Sequence, residues 1–279
     1  MKVSLHRREM RKSIIQYITL FLLSLFSIFP IVSMLSISFS EPTDIFVYPP
    51  RMIPSKLTLE NYIYAFTSGK MVFYMWNSLI VAGGVTLVTV LAAVPTAYGV
   101  ARFKFRGRGL ATSMVLLCYL LPSVSIAVPL FVVFRTMHLL GSYIAIIIAH
   151  ITITLPLSVW LMSGYFSYVP WNVEEAAMID GCSRIGAIYR VVLPMSLPGL
   201  VTVIFFSFTA SWQEFLYALL FTGSATRTAA IGLVAFIGEE QVWWGALAAG
   251  AVVFSIPVIV LYFFVQRYYV ATLAGAVKG

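Results

Sequence analysis

Hydrophobic residues in this chain fall into six long runs separated by short polar segments. Each run has about 20 residues or more, which is enough for a helix to cross a hydrocarbon core of about 30 Å. The runs are 14–39, 75–101, 110–134, 143–166, 199–221 and 246–266. The pattern predicts an all-α integral membrane protein with six transmembrane helices, and its 279 residues leave no room for a separate soluble domain.

The polar segments between these runs define the predicted domain organisation. In chain order the domains are a basic N-terminus (1–13), the first transmembrane helix (14–39), an outer segment (40–74), a core of five helices (75–267) that contains a polar inner loop (168–198), and a C-terminal tail (268–279). In the outer segment, apolar residues recur at helical spacing between Thr58 and Phe66. This spacing predicts a short helix there.

The distribution of charge orients the predicted helices. The chain is 61% hydrophobic with a net charge of +8, and its mean hydropathy is +0.95. With both termini in the cytoplasm, five of the 18 Lys and Arg residues lie outside and the others lie in inner segments, as the positive-inside rule requires. The charge therefore indicates orientation and contact with anionic membrane lipid, and no nucleic-acid partner is expected.

The basic segment before the first run also raises the possibility of a signal peptide. The run is longer than the apolar core of a signal peptide, which has about 7–15 residues, and no small-residue cleavage site follows it. We therefore expect an uncleaved first helix.

Prolines interrupt most of the runs. For any one of them, a kink tolerated by neighbouring helices is sufficient explanation. Pro122 and Pro129 make the third run the best candidate for a helix that rearranges.

The sequence shows no pattern typical of a catalytic or metal-binding site. There is no Gly-rich phosphate loop ending in Lys-Ser or Lys-Thr, so ATP binding by the usual loop is excluded. Cys118 lies in a run and Cys182 in an inner loop, which predicts neither a disulfide nor a metal site. We expect no catalytic residue, no metal and no cofactor in this chain.

The inner loop at 174–198 is a charged segment punctuated by glycine and proline. Asn172 precedes Glu175 by three residues, which predicts a capping box at the start of a helix. Gly181 is placed to end that helix in a left-handed conformation, and Ser183 to cap a second one. We expect a helix–turn–helix in which carboxylates surround small apolar side chains, namely Ala176, Ala177 and Ile179. The residues alone leave an ordinary amphipathic interfacial helix equally open.

The same loop resembles a known family signature. Glu175-Ala-Ala177, Asp180-Gly181 and Leu193-Pro194 resemble the cytoplasmic EAA motif of permease subunits of ATP-binding-cassette (ABC) importers. Cys182 and Ile188 depart from the family pattern, which has Ala and an aromatic residue there. Further segments resemble the carbohydrate-importer branch, especially the six-span permease of maltose/trehalose-type transporters: Asn77–Leu79, Pro95–Tyr98, Ala101–Gly107, Leu155–Leu157, Trp212–Phe215 and Gly275–Gly279.

This resemblance implies a function in sugar import. It implies the type I ABC-importer permease fold and movement of a di- or oligosaccharide into the cell, coupled to ATP hydrolysis in a separate subunit. The implied partners are a second homologous permease, two copies of an ATPase that holds ATP and Mg, and an extracytoplasmic sugar-binding protein. The implied location is the prokaryotic plasma (inner) membrane, which the chain crosses several times.

The resemblance also assigns roles to residues. The EAA loop is the coupling helix that seats in a groove of the ATPase, and the C-terminal tail reaches the ATPase dimer. The residues for coupling are Glu174, Glu175, Ala176, Ala177, Met178, Asp180, Gly181, Leu193 and Pro194. Those for the C-terminal contact are Gly275, Ala276, Val277, Lys278 and Gly279.

A polar stripe in the fifth run is the candidate translocation pathway. A carboxylate near a helix centre costs about 2.5–3.5 kcal/mol on insertion scales, so Glu214 should face a cavity or a partner. Ser207 and Ser211 share its face, and Trp212 and Gln213 adjoin it. Aromatic faces with hydrogen-bonding groups suit sugars. Alternatively, Glu214 braces the interface between two permeases.

His150 is the second ionisable residue within a run. It is a candidate for the pathway by its position alone. The alternative is a packing hydrogen bond with Thr152 or Thr154.

Other functions remain open on the sequence alone. The chain could be a permease for another solute, such as a glycerol-phosphate-like compound. A stand-alone secondary transporter is disfavoured because no internal repeat is visible. An integral membrane enzyme would need clustered catalytic side chains, and none is apparent.

Overall fold

The computed structural model describes residues 2–49, 51–238 and 241–276, with side chains for 13–49, 51–238 and 241–268. Regular structure in these residues is helical, with two isolated β-bridges, Ser40 to Leu57 and Ile237 to Val242. The helices are α1 (Lys2–Ser38), α2 (Pro42–Ile45), α3 (Glu60–Phe66), α4 (Met71–Arg102), α5 (Arg108–Leu120), α6 (Ser123–Thr136), α7 (Tyr143–Tyr168), α8 (Trp171–Ile179), α9 (Arg184–Ala187), α10 (Leu193–Met195), α11 (Leu197–Gln213), α12 (Leu216–Phe221), α13 (Ala229–Val234) and α14 (Trp244–Ala276), with a π-helical turn at Ile188–Val192.

Four of the described helices are long and apolar enough to cross a membrane. They contain the candidate spans Ser13–Ser38, Met71–Arg102, Tyr143–Tyr168 and Trp244–Tyr268. Two further candidates are bent pairs: α5 with α6, at 89°, and the segment Arg184–Met195 with α11, at 81°. By length and composition, the described residues thus provide four spans, or up to six if each bent pair is one span.

Two predicted continuous helices are broken. The prediction for 110–134 is wrong at Leu121 and Pro122, where the backbone is extended (Leu121 ψ 131°), because a proline disfavours helical geometry in the residue before it. Pro129, by contrast, lies inside α6. The prediction for 199–221 is wrong at Glu214, where α11 ends in an extended residue and α12 begins two residues later. The short helix predicted in the outer segment is confirmed as α3.

The chain divides into two compact units. The first contains the chain up to Met71 together with Leu233–Phe254. In it, Asn61 of α3 donates hydrogen bonds to the backbone oxygens of Ser38 (3.1 Å) and Ser40 (2.8 Å), which joins α3 to the end of α1. Gly245 packs on Asn61, since a Cβ there would lie 2.3 Å from its Oδ1.

A short polar cluster orders the start of the outer segment. The Ser55 hydroxyl and backbone amide both donate to Asp44, and Arg51 lies 3.4 Å from its carboxylate. These hydrogen bonds, with Ser55 Oγ as the largest cause, hold the pKa of Asp44 below its usual value. Lys56 pairs with Glu41 at 2.7 Å, which raises the pKa of Lys56.

The second unit contains Val72–Gly232 and the chain from Ser255. Its largest buried cluster lies around α7, with α4 on one side and α11 on another. Small residues allow these helices to approach closely, as is usual in membranes. The members of the cluster are Ala93, Val94, Ala97, Tyr98, Val159, Met162, Phe166, Val169, Val192 and Val203.

Gly199 of α11 lies close to Tyr165 of α7, and its replacement tests this packing. A Cβ on Gly199 would lie 2.3 Å from Cγ and 2.7 Å from Cβ of Tyr165, atoms too near the backbone to move aside. We expect Gly199→Ala to lower the free energy of unfolding by about 1–3 kcal/mol. The measurement is the apparent melting temperature in detergent. Gly164→Ala on α7 is the control: a Cβ there meets nothing within 4 Å, so equal melting of both variants would contradict the packing.

Candidate functional site: the 171–196 loop and the buried polar contacts of α7 and α11

The first helix of the inner loop begins earlier than the sequence predicted. α8 starts at Trp171 after Pro170, whose backbone is extended. The predicted capping box is wrong, because Asn172 already lies in the first turn and no side chain caps the helix. Glu175 instead accepts a hydrogen bond from Nε1 of Trp171, at 2.5 Å.

The end of α8 forms as the sequence predicted. Gly181 has φ +92°, the left-handed conformation that closes a helix. Its amide donates to the Met178 oxygen (3.1 Å), and the Cys182 amide donates to the Ala177 oxygen (3.0 Å), which is the Schellman pattern. Ser183 then caps α9 by accepting from the Gly186 amide at 3.1 Å, as predicted. The turn between the two short helices is therefore fixed by backbone hydrogen bonds.

The left-handed conformation of Gly181 predicts that a side chain at this position destabilises the turn. A Cβ at this position meets no atom within 4 Å, so strain alone opposes a side chain. We expect Gly181→Val to destabilise the turn by about 1–2 kcal/mol, the cost of left-handed backbone for an L residue. Faster proteolytic cleavage between α8 and α9 would report the change. Gly83→Ala in α4, which is also free of contacts within 4 Å, should leave cleavage unchanged.

The two adjacent glutamates of the loop face opposite ways. Glu175 is exposed, whereas Glu174 is fully buried. The Tyr98 hydroxyl donates to Glu174 Oε1, and Arg102 Nε lies 3.1 Å from its Oε2. The prediction of a surface carboxylate is therefore wrong for Glu174, because α8 turns this position toward α4.

The exposed surface of the loop is apolar, with acidic side chains beside it. Ile179 is 86% exposed, and Ala176 and Asp180 are exposed next to it. Ile185 and Tyr189 extend this surface, with 68% and 56% exposed. The sequence analysis did not single out these two residues, although large apolar side chains in a polar loop were a signal for them.

The remaining predicted coupling residues lie around this surface. Ala177 and Met178 are half-buried, as is Leu193, which packs against the core cluster around α7. Pro194 is exposed in the first turn of α10. Their contact with an ATPase stays a prediction.

The predicted pathway stripe is used for packing inside this chain. His150 Nδ1 lies 2.7 Å from Ser211 Oγ, and His150 Nε2 lies 3.2 Å from Glu214 Oε2. Ser207 lies 3.2 Å from Ser158 of α7 through their hydroxyl groups. Ser207 and Ser211 are both buried against α7, and their role as pathway lining stays a prediction.

The rest of the stripe divides between the interior and the surface. Trp212 is buried and stacks on Phe208, with ring centroids 5.4 Å apart. Gln213 is exposed. Glu214 accepts hydrogen bonds from the backbone amides of Tyr217 (2.8 Å) and Ala218 (3.1 Å), so its carboxylate caps α12.

His150 has partners other than those predicted. The Thr154 hydroxyl donates to the His150 backbone oxygen (3.1 Å) and lies 2.8 Å from Thr89 Oγ1. The imidazole instead contacts Ser211 and Glu214 of the following span. Sequence spacing could not reveal this, because the partners lie more than sixty residues away.

Asn77 and Ser78 anchor the segment after α12, a role the sequence analysis missed. Asn77 Nδ2 donates to the backbone oxygens of Ala225 (3.1 Å) and Arg227 (2.9 Å), and its Oδ1 accepts from the Tyr143 hydroxyl (2.7 Å). Ser78 Oγ accepts from the Ala229 amide at 2.8 Å. In the sequence, the Asn-Ser pair is part of a family resemblance only.

The predicted C-terminal contact cannot be placed. Val277, Lys278 and Gly279 lie outside the described residues, and Gly275 and Ala276 are the last residues of α14.

A protein-family match covers the loop and the helices around it. The model of the binding-protein-dependent transport system inner membrane component family matches residues 89–274. The chain belongs to this family. It is therefore a multi-pass component of the prokaryotic inner membrane and a transport subunit, not an enzyme.

Curated relatives cover almost the whole chain. The trehalose/maltose transport system permease protein MalG of Thermococcus litoralis is 36% identical over 98% of this chain and 99% of its own length. The trehalose transport system permease protein SugB of Mycobacterium tuberculosis is 35% identical over 91% of this chain and 93% of its own length. The sulfoquinovosyl glycerol permease SmoH of Agrobacterium fabrum is 34% identical over 95% and 94%.

A solved structure shares the fold. A chain of a bacterial ABC transporter that imports the acidic polysaccharide alginate superposes with a TM-score of 0.79, covering 92% of this chain and 96% of that chain. Sequence identity in this match is 21%.

Proposed function

We propose that this chain is a permease subunit of an ABC importer that moves a di- or oligosaccharide into the cell. The observation that carries the proposal is the loop at 171–196: an exposed apolar surface beside Glu175 and Asp180, on a turn fixed by Gly181. Such a rigid protruding surface suits a groove in a partner subunit. Family membership and relatives named for trehalose and maltose transport support sugar as the cargo.

The proposal extends to orientation and assembly. Both bent pairs are taken as single spans, which gives six spans with both termini in the cytoplasm. The pore is formed with a second homologous permease, and two ATPase copies, which hold ATP and Mg, dock beneath it. An extracytoplasmic binding protein delivers the sugar; the family description and a related transporter solved with a sugar-bound periplasmic protein support this partner.

In this mechanism, the chain works by changing conformation. ATP-driven closure of the ATPase dimer draws the two coupling loops together and switches the spans from inward-open to outward-open. Sugar then enters from the docked binding protein, and its different affinity for the two states directs transport. The C-terminal residues 275–279 provide a further ATPase contact.

Uptake by the reconstituted complex tests the proposal. The chain is purified together with its proposed partners, a second permease, an ATPase and a binding protein, and placed in liposomes with maltose or trehalose outside. We expect uptake that requires ATP inside and the binding protein outside. A glycerol-phosphate-like solute serves as the competing cargo. Uptake by the single chain under an ion gradient, without an ATPase, would instead establish a secondary transporter.

A further inference from the structure

Glu174 is a buried charge in a loop that is otherwise largely exposed. Its side chain is 0% exposed, and that of Arg102, its partner, is 7% exposed. Burying both charges costs several kcal/mol per ion before their attraction is counted, and an apolar pair of the same size is often as stable or more so. Packing alone therefore does not explain why charges occupy this position.

Two residues of α4 hold the Glu174 carboxylate from one side. Tyr98 and Arg102 stand one helical turn apart, so they share a face at the end of α4. The Tyr98 hydroxyl donates to Oε1, and Arg102 Nε lies 3.1 Å from Oε2. The directional contact is the Tyr98 hydrogen bond to Oε1, whereas Arg102 Nε and Oε2 form an ion pair without a hydrogen bond. Together the two contacts hold Glu174 of α8 against the end of α4.

Arg102 also contacts the residues on both sides of Pro170, in the segment that joins α7 to α8. Its guanidinium donates to the backbone oxygen of Val169 at 2.9 Å and lies over the Trp171 ring, 5.4 Å from its centroid. The Arg184 guanidinium of α9 lies over the same Trp171 ring, 5.8 Å from its centroid. The end of α4 is therefore bound to the start of α8 by directional contacts.

We propose that Glu174 is a positioning residue that locks α8 to the end of α4, so that both move as one body when an ATPase displaces the loop. A charge-assisted hydrogen bond holds a defined geometry, whereas an apolar contact can slide. The inference rests on the proposed function, because it concerns how displacement of the loop reaches a transmembrane helix. Glu175 has a different role, since it is exposed on the docking surface.

The ratio of ATP hydrolysed to sugar transported measures this transmission. The complete complex in liposomes is compared for wild type, Glu174→Gln, Glu174→Asp and Tyr98→Phe. We expect Glu174→Gln to raise ATP per sugar about tenfold, and Tyr98→Phe about threefold because the ion pair remains. Glu174→Asp, which keeps the charge, should fall between wild type and Glu174→Gln. The amount of ATPase bound to the complex should stay at the wild-type level in all of them.

Matched controls separate this effect from a general loss of activity of the reconstituted complex. Glu60→Gln and Tyr48→Phe make the same chemical changes at exposed positions of the first unit, and we expect wild-type ratios. A wild-type ratio in Glu174→Gln, or loss of bound ATPase from it, would overturn the inference. If Glu174→Gln does not reach the membrane, Tyr98→Phe decides by the same ratio. ATP-independent uptake by wild type would contradict the proposed function itself.

Discussion

Reversing the charge at Glu175 is expected to abolish sugar uptake while the chain still inserts into the membrane. Glu175 is exposed, and its single described contact is the hydrogen bond from Trp171. Its replacement by lysine therefore leaves the core untouched. On the docking surface, however, the new positive charge sits beside Ile179 and Asp180, where a groove selected for a carboxylate would meet the wrong sign. Like-charge contacts of this kind cost several kcal/mol, enough to prevent docking.

Two further variants sharpen this test. Glu175→Gln retains an oxygen that can accept the Trp171 hydrogen bond, so we expect bound ATPase and uptake to be reduced without being lost. Glu60→Lys makes the same charge reversal at an exposed position of the first unit and should transport normally. The measurements are uptake, ATPase recovered with the complex, and the amount of chain in the membrane. Normal uptake by Glu175→Lys would rule out the docking surface described here.

Removal of the Glu214 carboxylate is the second change with a large expected effect. In Glu214→Ala, the amides of Tyr217 and Ala218 lose their acceptor and His150 Nε2 loses its neighbour. Loss of a helix cap and of the carboxylate beside a buried imidazole is expected to lower the free energy of unfolding by about 2–4 kcal/mol. Thermal unfolding of the purified chain in detergent is the measurement.

Glu214→Gln separates bracing from a role in the pathway. The glutamine oxygen can still cap α12, so we expect the loss of stability to be smaller than in Glu214→Ala. Gln213→Ala, at the exposed neighbouring position, should not change unfolding. If instead Glu214→Ala unfolds like wild type and changes only the apparent affinity for sugar, the carboxylate lines the pathway.

Local sequence signals predicted the parts of the site that depend on neighbouring residues. Gly181 and Ser183 act on the backbone within a few residues, so their roles were predictable from type and spacing. The predicted start of α8 was wrong, because the helix begins at Trp171, directly after Pro170 and one position before the predicted cap. A cap is decided by the conformation of one residue, which the pattern of polar positions does not specify.

The features of the site that the sequence did not predict depend on contacts between residues far apart in the chain. Glu174 and Glu175 are identical and adjacent, and the buried one is the one that meets Tyr98 and Arg102 of α4, more than seventy residues away. In the same way, the polar stripe of α11 is compatible with a pore or with a neighbouring helix. In this structure the stripe contacts His150 and Ser158, both on α7. Apolar run length predicted the spans but not the breaks within them.

The break at Leu121 and Pro122 has a consequence for the life of the newly made chain. The residues on both sides of it form helices of 13 and 14 residues, each only about 20 Å long. If the pair is one span, the exposed residues Leu121 and Pro122 lie at mid-membrane depth. The Leu121 amide and the Pro122 oxygen are hydrogen-bonded within the chain, but any backbone group there that is not so bonded needs protein or water beside it, because lipid offers no hydrogen bonds. We therefore expect membrane proteases to degrade any subunit that is made in excess of its partners. The extent of assembly would then determine how much of the protein accumulates.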